Sequence, residues 1–400
     1  MRSRIEEALT ADESLLVEMR RDLHAHPELS SRETGTTLWI EQHLRDIGLE
    51  PTRLTVGTGL VCDLVVGTPS DDSPIVALRA DIDALAMQDE KDVGYRSQAD
   101  GAAHACGHDV HVTAVLGAAR ALASVAADAG VSGTVRLVFE PAEETVPGGA
   151  VDILQEGRLE GVLAIFGLHC DPKVDVGHVG TRVGALTSAA DLVEVIVRGP
   201  GGHTARPERT VDLVALLGRL VTQTQGVLDT LTERPGDLRL VFGAAHSGDA
   251  ANVIPSHGFV RGSLRTPRYD VWLRTPDLFH EAVEQVLGAS GAMWEIAHRR
   301  GVPPVINDEA MTGVLELGVR DALGDDGVVQ TEQSWGGDSF AWYVERIPGS
   351  YGRLGVHDPA SHRPRLDLHA STFDVDERSI RCGAGVLAYT ALGALHHFTR

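Results

Sequence analysis

Four short apolar runs, Leu60–Val66, Ile75–Leu78, Val135–Phe139 and Val162–Leu168, alternate with turns and helical spacing. Three of them run straight into groups that bind cations or carry protons: Asp81, the Glu140–Glu144 segment and His169. Uninterrupted apolar runs of this length suit strands buried on both faces. Val110–Val125 and Ala150–Gln155 read as helices between them. That alternation predicts an α/β fold with a mostly parallel central sheet flanked by helices. Upstream, Ile5, Leu9, Leu15, Leu16, Met19 and Leu23 form one helical stripe. Leu38, Ile40, Leu44 and Ile47 form another, with Gly48 as a stop.

The pattern changes near residue 186. Leu192–Val197 alternates apolar and polar residues, as a half-exposed strand does. Val211–Leu231 reads as an amphipathic helix with Thr210 as its N-cap. Strands over Leu238–Phe242 and Gly258–Leu264 follow, then a helix from Pro276 to Leu287. Two helices on one face of a small antiparallel sheet predict an inserted α+β, ferredoxin-like domain. Its expected bounds are 187–296, and residues 1–186 and 297–400 are expected to form one domain in two sequence halves.

Length supports more than one core, since 400 residues exceed an ordinary single domain. Lys and Arg total 35 against 57 Asp and Glu, a formal net charge of −22. Such a surface disfavours nucleic acid and anionic membranes as partners. No apolar run reaches the ~18 residues of a membrane span. Four widely spaced cysteines do not make a disulfide framework, so a reduced, cytoplasmic setting is expected.

The densest chemistry is His104-Ala-Cys106-Gly-His108-Asp109-Val-His111. A loop at Gly107 lets Cys106 and His108 turn to one point, and thiolate and imidazole suit zinc-like ions. Pro141-Ala-Glu143-Glu144 follows a buried run, and adjacent carboxylates divide naturally between ligand and proton carrier. Read alone, a Glu-Glu pair is an ordinary acidic loop. His169 and His369 add two more ligand-type side chains, each unremarkable in isolation. Cys106, His108, Glu144, His169 and His369 together exceed what one catalytic zinc holds, which predicts a two-metal site. Asp81 could hold a ligating histidine by its second ring nitrogen, or simply end a strand. In the inserted block, His203 follows a Gly-Pro-Gly-Gly turn and would suit a developing oxyanion. Asn252 and Arg265 would suit a substrate carboxylate, although from the residues alone ordinary loop and strand-end chemistry is the better account of all three.

Taken in order, RADIDAL at 79–85, GAAHACGHDVHVTAVLG at 101–117 and PAEE at 141–144 resemble a metallo-aminoacylase family. GLH at 167–169, GPGGHTARP at 199–207 and NVIP at 252–255 continue the resemblance. It extends from HAHPE at 24–28 to FDVDE at 373–377. Hippurate hydrolases, N-acyl-amino-acid amidohydrolases and auxin-conjugate hydrolases belong to that family. The resemblance implies two divalent ions, zinc or manganese, held by Cys106, His108, Glu144, His169 and His369. It implies Glu143 as general base and acid, and His203 as oxyanion donor. It further implies a small-molecule N-acyl amino acid substrate, and a lid domain through which copies form a homodimer or higher homo-oligomer. A dipeptidase or carboxypeptidase on the same scaffold would share this chemistry, and a non-catalytic metal-binding protein would share the fold. The sequence departs from the family pattern where the usual Gln before Pro-Ala-Glu-Glu is Glu140. The usual Pro after Asp-Ala-Leu is Ala86. The usual Gly-Gly-Glu-Asp-Phe is Gly336-Gly-Asp338-Ser339-Phe340, and a histidine common after Pro207 is Glu208.

Overall fold

The computed structural model describes residues 2–361 and 365–399. They form two compact units. The first comprises Met1–Gly184, Ile306–Glu332 and Ser339–Arg400, and the second Ala185–Val305 with Gln333–Asp338. The expected boundary at 296 falls inside the strand Met293–Val302, which completes the second unit's sheet.

The first unit is built on an eight-stranded sheet. At its centre Gly133–Glu140, Ile75–Asp81, Val162–Asp175 and Gly349–His357 run parallel in that order. Leu60–Val66 joins antiparallel at one side, as does Val179–Thr181 at the other. The sheet is therefore mixed, with the parallel centre that the apolar runs predict. Leu78, Val135, Leu137, Phe139 and Phe166 are fully buried, which is why those strands carry no polar alternation. Helices Arg2–Ala25, His108–Val125, Glu309–Leu323 and Arg378–Thr399 pack with the sheet into one apolar core. One described stretch, His108–Asp128, is long and apolar enough to cross a membrane, but 72% of it lies buried inside the protein as a core helix.

Register sets the heights of the functional groups. Asp81 pairs with Glu140, and Arg79 pairs with Gly167. His169, two residues past Gly167, therefore stands level with Asp81 and Glu140, the last residues of their parallel strands. Open α/β sheets place ligands at such an edge.

The second unit has the order βαββαβ. Its antiparallel sheet runs Arg239–Ser247, His257–Thr266, Ala189–Arg198, Met293–Val302. Helices Leu213–Leu231 and Tyr269–Leu287 bury Leu217, Leu220, Phe279 and Val283 in its core with Val195 and Val260 of the sheet. Two local expectations need correction. The N-cap of the first helix is Asp212, whose side chain accepts from Ala215 N at 3.0 Å, and not Thr210. A carboxylate there also favours the positive end of the helix dipole. The second helix starts seven residues before Pro276, which lies inside it. Proline leaves the Trp272 carbonyl without its helical donor. Arg300 Nη1 donates to that carbonyl instead, at 2.7 Å.

Candidate metal centre

Gly107 takes a left-handed backbone, φ 89°, and sits at the N-cap of His108–Val125. The reversal separates Cys106 from His108 and lets both side chains face the same space. A Cβ at Gly107 would lie 2.7 Å from Cys170 Sγ, so both the conformation and the space call for glycine.

Two of the three ligand-type histidines, His108 and His169, have their rings set by a backbone carbonyl. His108 Nδ1–H donates to Asp83 O at 2.9 Å, and His169 Nδ1–H donates to Cys170 O at 2.8 Å. When neutral, both rings therefore have the lone pair on Nε2, the tautomer a metal ligand needs. His169 Nε2 lies 3.5 Å from Cys106 Sγ. His369, at φ 64° with its amide bonded to Ala105 O at 2.8 Å, brings Nε2 to 3.5 Å from Glu144 Oε1.

The adjacent carboxylates share a side of the cluster but take different further partners. Ala142 is left-handed at φ 54°, and its amide donates to Glu33 Oε1 at 2.7 Å. The Glu144 amide donates to Asp83 Oδ2 at 3.0 Å. With the turn so held, Glu144 Oε1 lies 3.8 Å from His108 Nε2, while Glu143 Oε1 accepts from the Ser339 amide at 3.1 Å.

Four groups of side chains bring their donor atoms within 4.8 Å of one another. Cys106, His108 and His169 form one, and Cys106, Glu144 and His369 another. His108 with Glu143 and Glu144, and Asp81 with His108 and His111, complete them. All five expected ligands thus converge, with Cys106 common to two groups. The donor set fits cations. His108 Nε2 and Glu144 Oε1 are buried without a hydrogen-bond partner, which is costly unless something else binds them. Burial pushes both the Cys106 thiol and the Glu144 carboxyl up, and a cation bound between them would offset that burial.

Asp81 holds a histidine by a ring nitrogen, and that histidine is His111, outside the five expected ligands. Asp81 Oδ1 accepts from His111 Nδ1 at 2.6 Å, and His111 Nε2 accepts the Cys170 amide at 2.8 Å. His111 is thereby used on both nitrogens, and the expected ligand His108 is held by the Asp83 carbonyl. Asp83, His111 and Ser339 are the functional neighbours that sequence reasoning missed. The second acid of Arg-Ala-Asp-Ile-Asp and the third histidine of the octapeptide were the available signals.

His203, Asn252 and Arg265 belong to the second unit. His203 is exposed on Gly202–His203, which pairs with Val253–Ile254, so Val253 lies opposite it and Asn252 is the residue just before that partner. His203 Nδ1 accepts from Ala205 N at 3.0 Å, so the neutral ring carries its proton on Nε2 as a donor. Arg265 is half-buried near the end of His257–Thr266 and donates to Trp335 O at 2.7 Å.

A parallel-sheet edge that gathers thiol, imidazole and carboxylate donors beside a further carboxylate is the centre of a metal-dependent hydrolase. Residues 77–392 match the model of peptidase family M20/M25/M40, and the chain belongs to that family. An N-acetylcysteine deacetylase of Bacillus subtilis is 33% identical over 379 residues, covering 94% of this chain and 96% of that protein. The crystal structure of the Bacillus subtilis YXEP protein, described as a dinuclear metal binding peptidase from the M20 family, has a TM-score of 0.83. It is 31% identical, with 97% of this chain and 99% of that one covered. A putative glutamate–cysteine ligase of Rhodococcus jostii is 42% identical over 381 residues. The alignment takes in 95% of this chain, yet the chain spans only 47% of that protein's length.

Proposed function

We propose that this hydrolase cleaves the amide bond of N-acyl amino acids, with two divalent ions, zinc or manganese, held by Cys106, His108, Glu144, His169 and His369. The observation that carries the proposal is the pair of donor groups that share Cys106, beside a carboxylate outside both. Two such ions, when bound, would lower the pKa of a water and polarise the acyl carbonyl.

Glu143 takes the proton of the attacking water and returns it to the leaving nitrogen as the C–N bond breaks. The Ser339 amide holds one of its oxygens during both transfers. His203 donates Nε2–H to the oxygen of the tetrahedral intermediate, a role that its protonated Nε2 suits. Asn252 and Arg265 bind the carboxylate of the amino-acid half.

Similarity to a named N-acetylcysteine deacetylase over nearly the whole chain favours an N-acyl substrate. Similarity to a named peptidase favours a second reading, a dipeptidase or carboxypeptidase. Metal-loaded protein assayed on N-acetyl amino acids, N-benzoyl amino acids and dipeptides decides between them. Higher kcat/KM on the acylated series is expected. Turnover confined to dipeptides would replace this proposal with the second.

A further inference from the structure

We propose that Ser339 is a positioning residue for Glu143, set in place by the buried pair Arg79 and Glu140. The proposal rests on the assignment of Glu143 as general base. Arg79, Glu140 and Ser339 are each at most 1% exposed. Ser339 Oγ–H donates to Glu140 Oε1 at 2.5 Å, and the same oxygen accepts from Arg79 Nη2 at 3.1 Å. The serine is gripped on both sides, so its amide meets Glu143 Oε1 at a fixed place, 3.1 Å away. A carboxylate that moves protons twice per turnover gains from one oxygen being pinned while the other stays at the reacting atoms.

The identities of residues 140 and 339 are linked by proton counting. Glu140 accepts from Arg79 Nε at 2.7 Å, Tyr343 Oη at 3.0 Å, Ala150 N at 2.8 Å and Ser339 Oγ. All four are donors. A glutamine at 140 would turn an NH2 group towards donors and leave protons facing protons. An aspartate at 339 would supply the missing acceptor. An aspartate at 339 beside the native Glu140, however, would crowd a third carboxylate around Arg79, which already pairs with Asp81 at 2.7 Å. Two departures from the family pattern, Glu140 for Gln and Ser339 for Asp, therefore fall in one buried contact and compensate each other. One carboxylate has changed sides opposite the same guanidinium.

The test is a double-mutant cycle on the metal-loaded protein with E140Q, S339D and E140Q/S339D, with S339A and E143Q alongside. For each variant kcat, KM, bound metal and the thermal midpoint are measured. E140Q and S339D are each expected to lower kcat about ten-fold or more with metal retained, as a displaced reacting group does. The double variant should recover most of that loss, and S339A should lower kcat more than it changes KM. A folded double variant no better than its worse parent overturns the proposal, as does S339A with unchanged kcat. Where a single variant does not fold, the double variant and S339A decide. Full kcat in E143Q would overturn the base assignment and this proposal with it. An inactive E143Q with an unrescued double variant overturns this proposal alone.

Discussion

Asp81 and His111 share a 2.6 Å hydrogen bond at the edge of the donor cluster, and the opposite ring nitrogen of His111 takes the Cys170 amide. An imidazole with both nitrogens so used has no free lone pair to offer a metal. His111→Asn should therefore keep its metal content near that of the native protein. It should lower stability by about 2 kcal/mol, because a buried carboxylate and a buried amide both lose a partner. His108→Asn should instead lose metal. Elemental analysis after dialysis, with thermal melts of both variants, checks this. Loss of metal from His111→Asn equal to that from His108→Asn would make His111 a ligand.

Glu143 and Glu144 are adjacent yet serve different neighbours. Glu144 Oε1 faces His108 and His369, and Glu143 Oε1 faces the Ser339 amide. Glu143→Gln preserves shape and removes the proton acceptor. Its kcat should fall about 100- to 10,000-fold, the range for general acid–base catalysis, with bound metal unchanged. Glu144→Gln should lower metal content first. Equal metal loss in both variants would end the division of labour.

The divergence between sequence expectation and structure has physical causes. Strands Leu60–Val66 and Ile75–Asp81 were legible because burial on both faces removes polar alternation, and the octapeptide was legible because its donors lie within eight residues. The pairing of His111 with Asp81 rather than with a metal was not. It depends on which nitrogen meets the Cys170 amide, a backbone group 59 residues away. Ser339 was invisible as a partner of Glu143 for the same reason, since the contact is made by its main-chain amide. Pro276 misled the helix boundary because the compensation for its missing proton comes from Arg300, on another element.

In the second unit, Asp191 is 1% exposed and accepts from His298 Nε2 at 2.7 Å. The Gly301 amide, Trp272 Nε1 and Thr275 Oγ1 each donate to it at 2.9 Å. Burial opposes its charge, but these donors prevail and hold the carboxyl below the usual carboxylate range. A carboxylate depressed on folding contributes stability in full above its unfolded pKa of about 3.9, and loses it as pH falls through the folded value. Asp191→Asn should cost about 2 kcal/mol at pH 7, and the gap to the native protein should narrow below about pH 4. Thermal melts of the full chain from pH 3 to 7 measure both. A gap that stays constant with pH would show that the charge of Asp191 contributes nothing.

Gly107 ties the backbone to the donor cluster. Its φ of 89° would cost an alanine about 1–2 kcal/mol before any contact is made. The added Cβ would also meet Cys170 Sγ at 2.7 Å and Cys170 Cβ at 2.9 Å, and the strand carrying Cys170 is buried and cannot retreat. The loop must give way, and the atoms that move with it are Cys106 Sγ and the His108 ring. Gly107→Ala should therefore weaken metal retention although every donor side chain is still present. Gly48→Ala separates the two costs, because Gly48 has a similar φ of 79° and an added Cβ there would meet nothing within 4 Å. It should lower stability by the backbone cost of about 1–2 kcal/mol and leave metal content unchanged. Metal content measured after dialysis against a weak chelator compares the two. Equal retention in Gly107→Ala and Gly48→Ala would mean that the cluster tolerates a displaced loop, and that the reversal at Gly107 does not set the positions of Cys106 and His108.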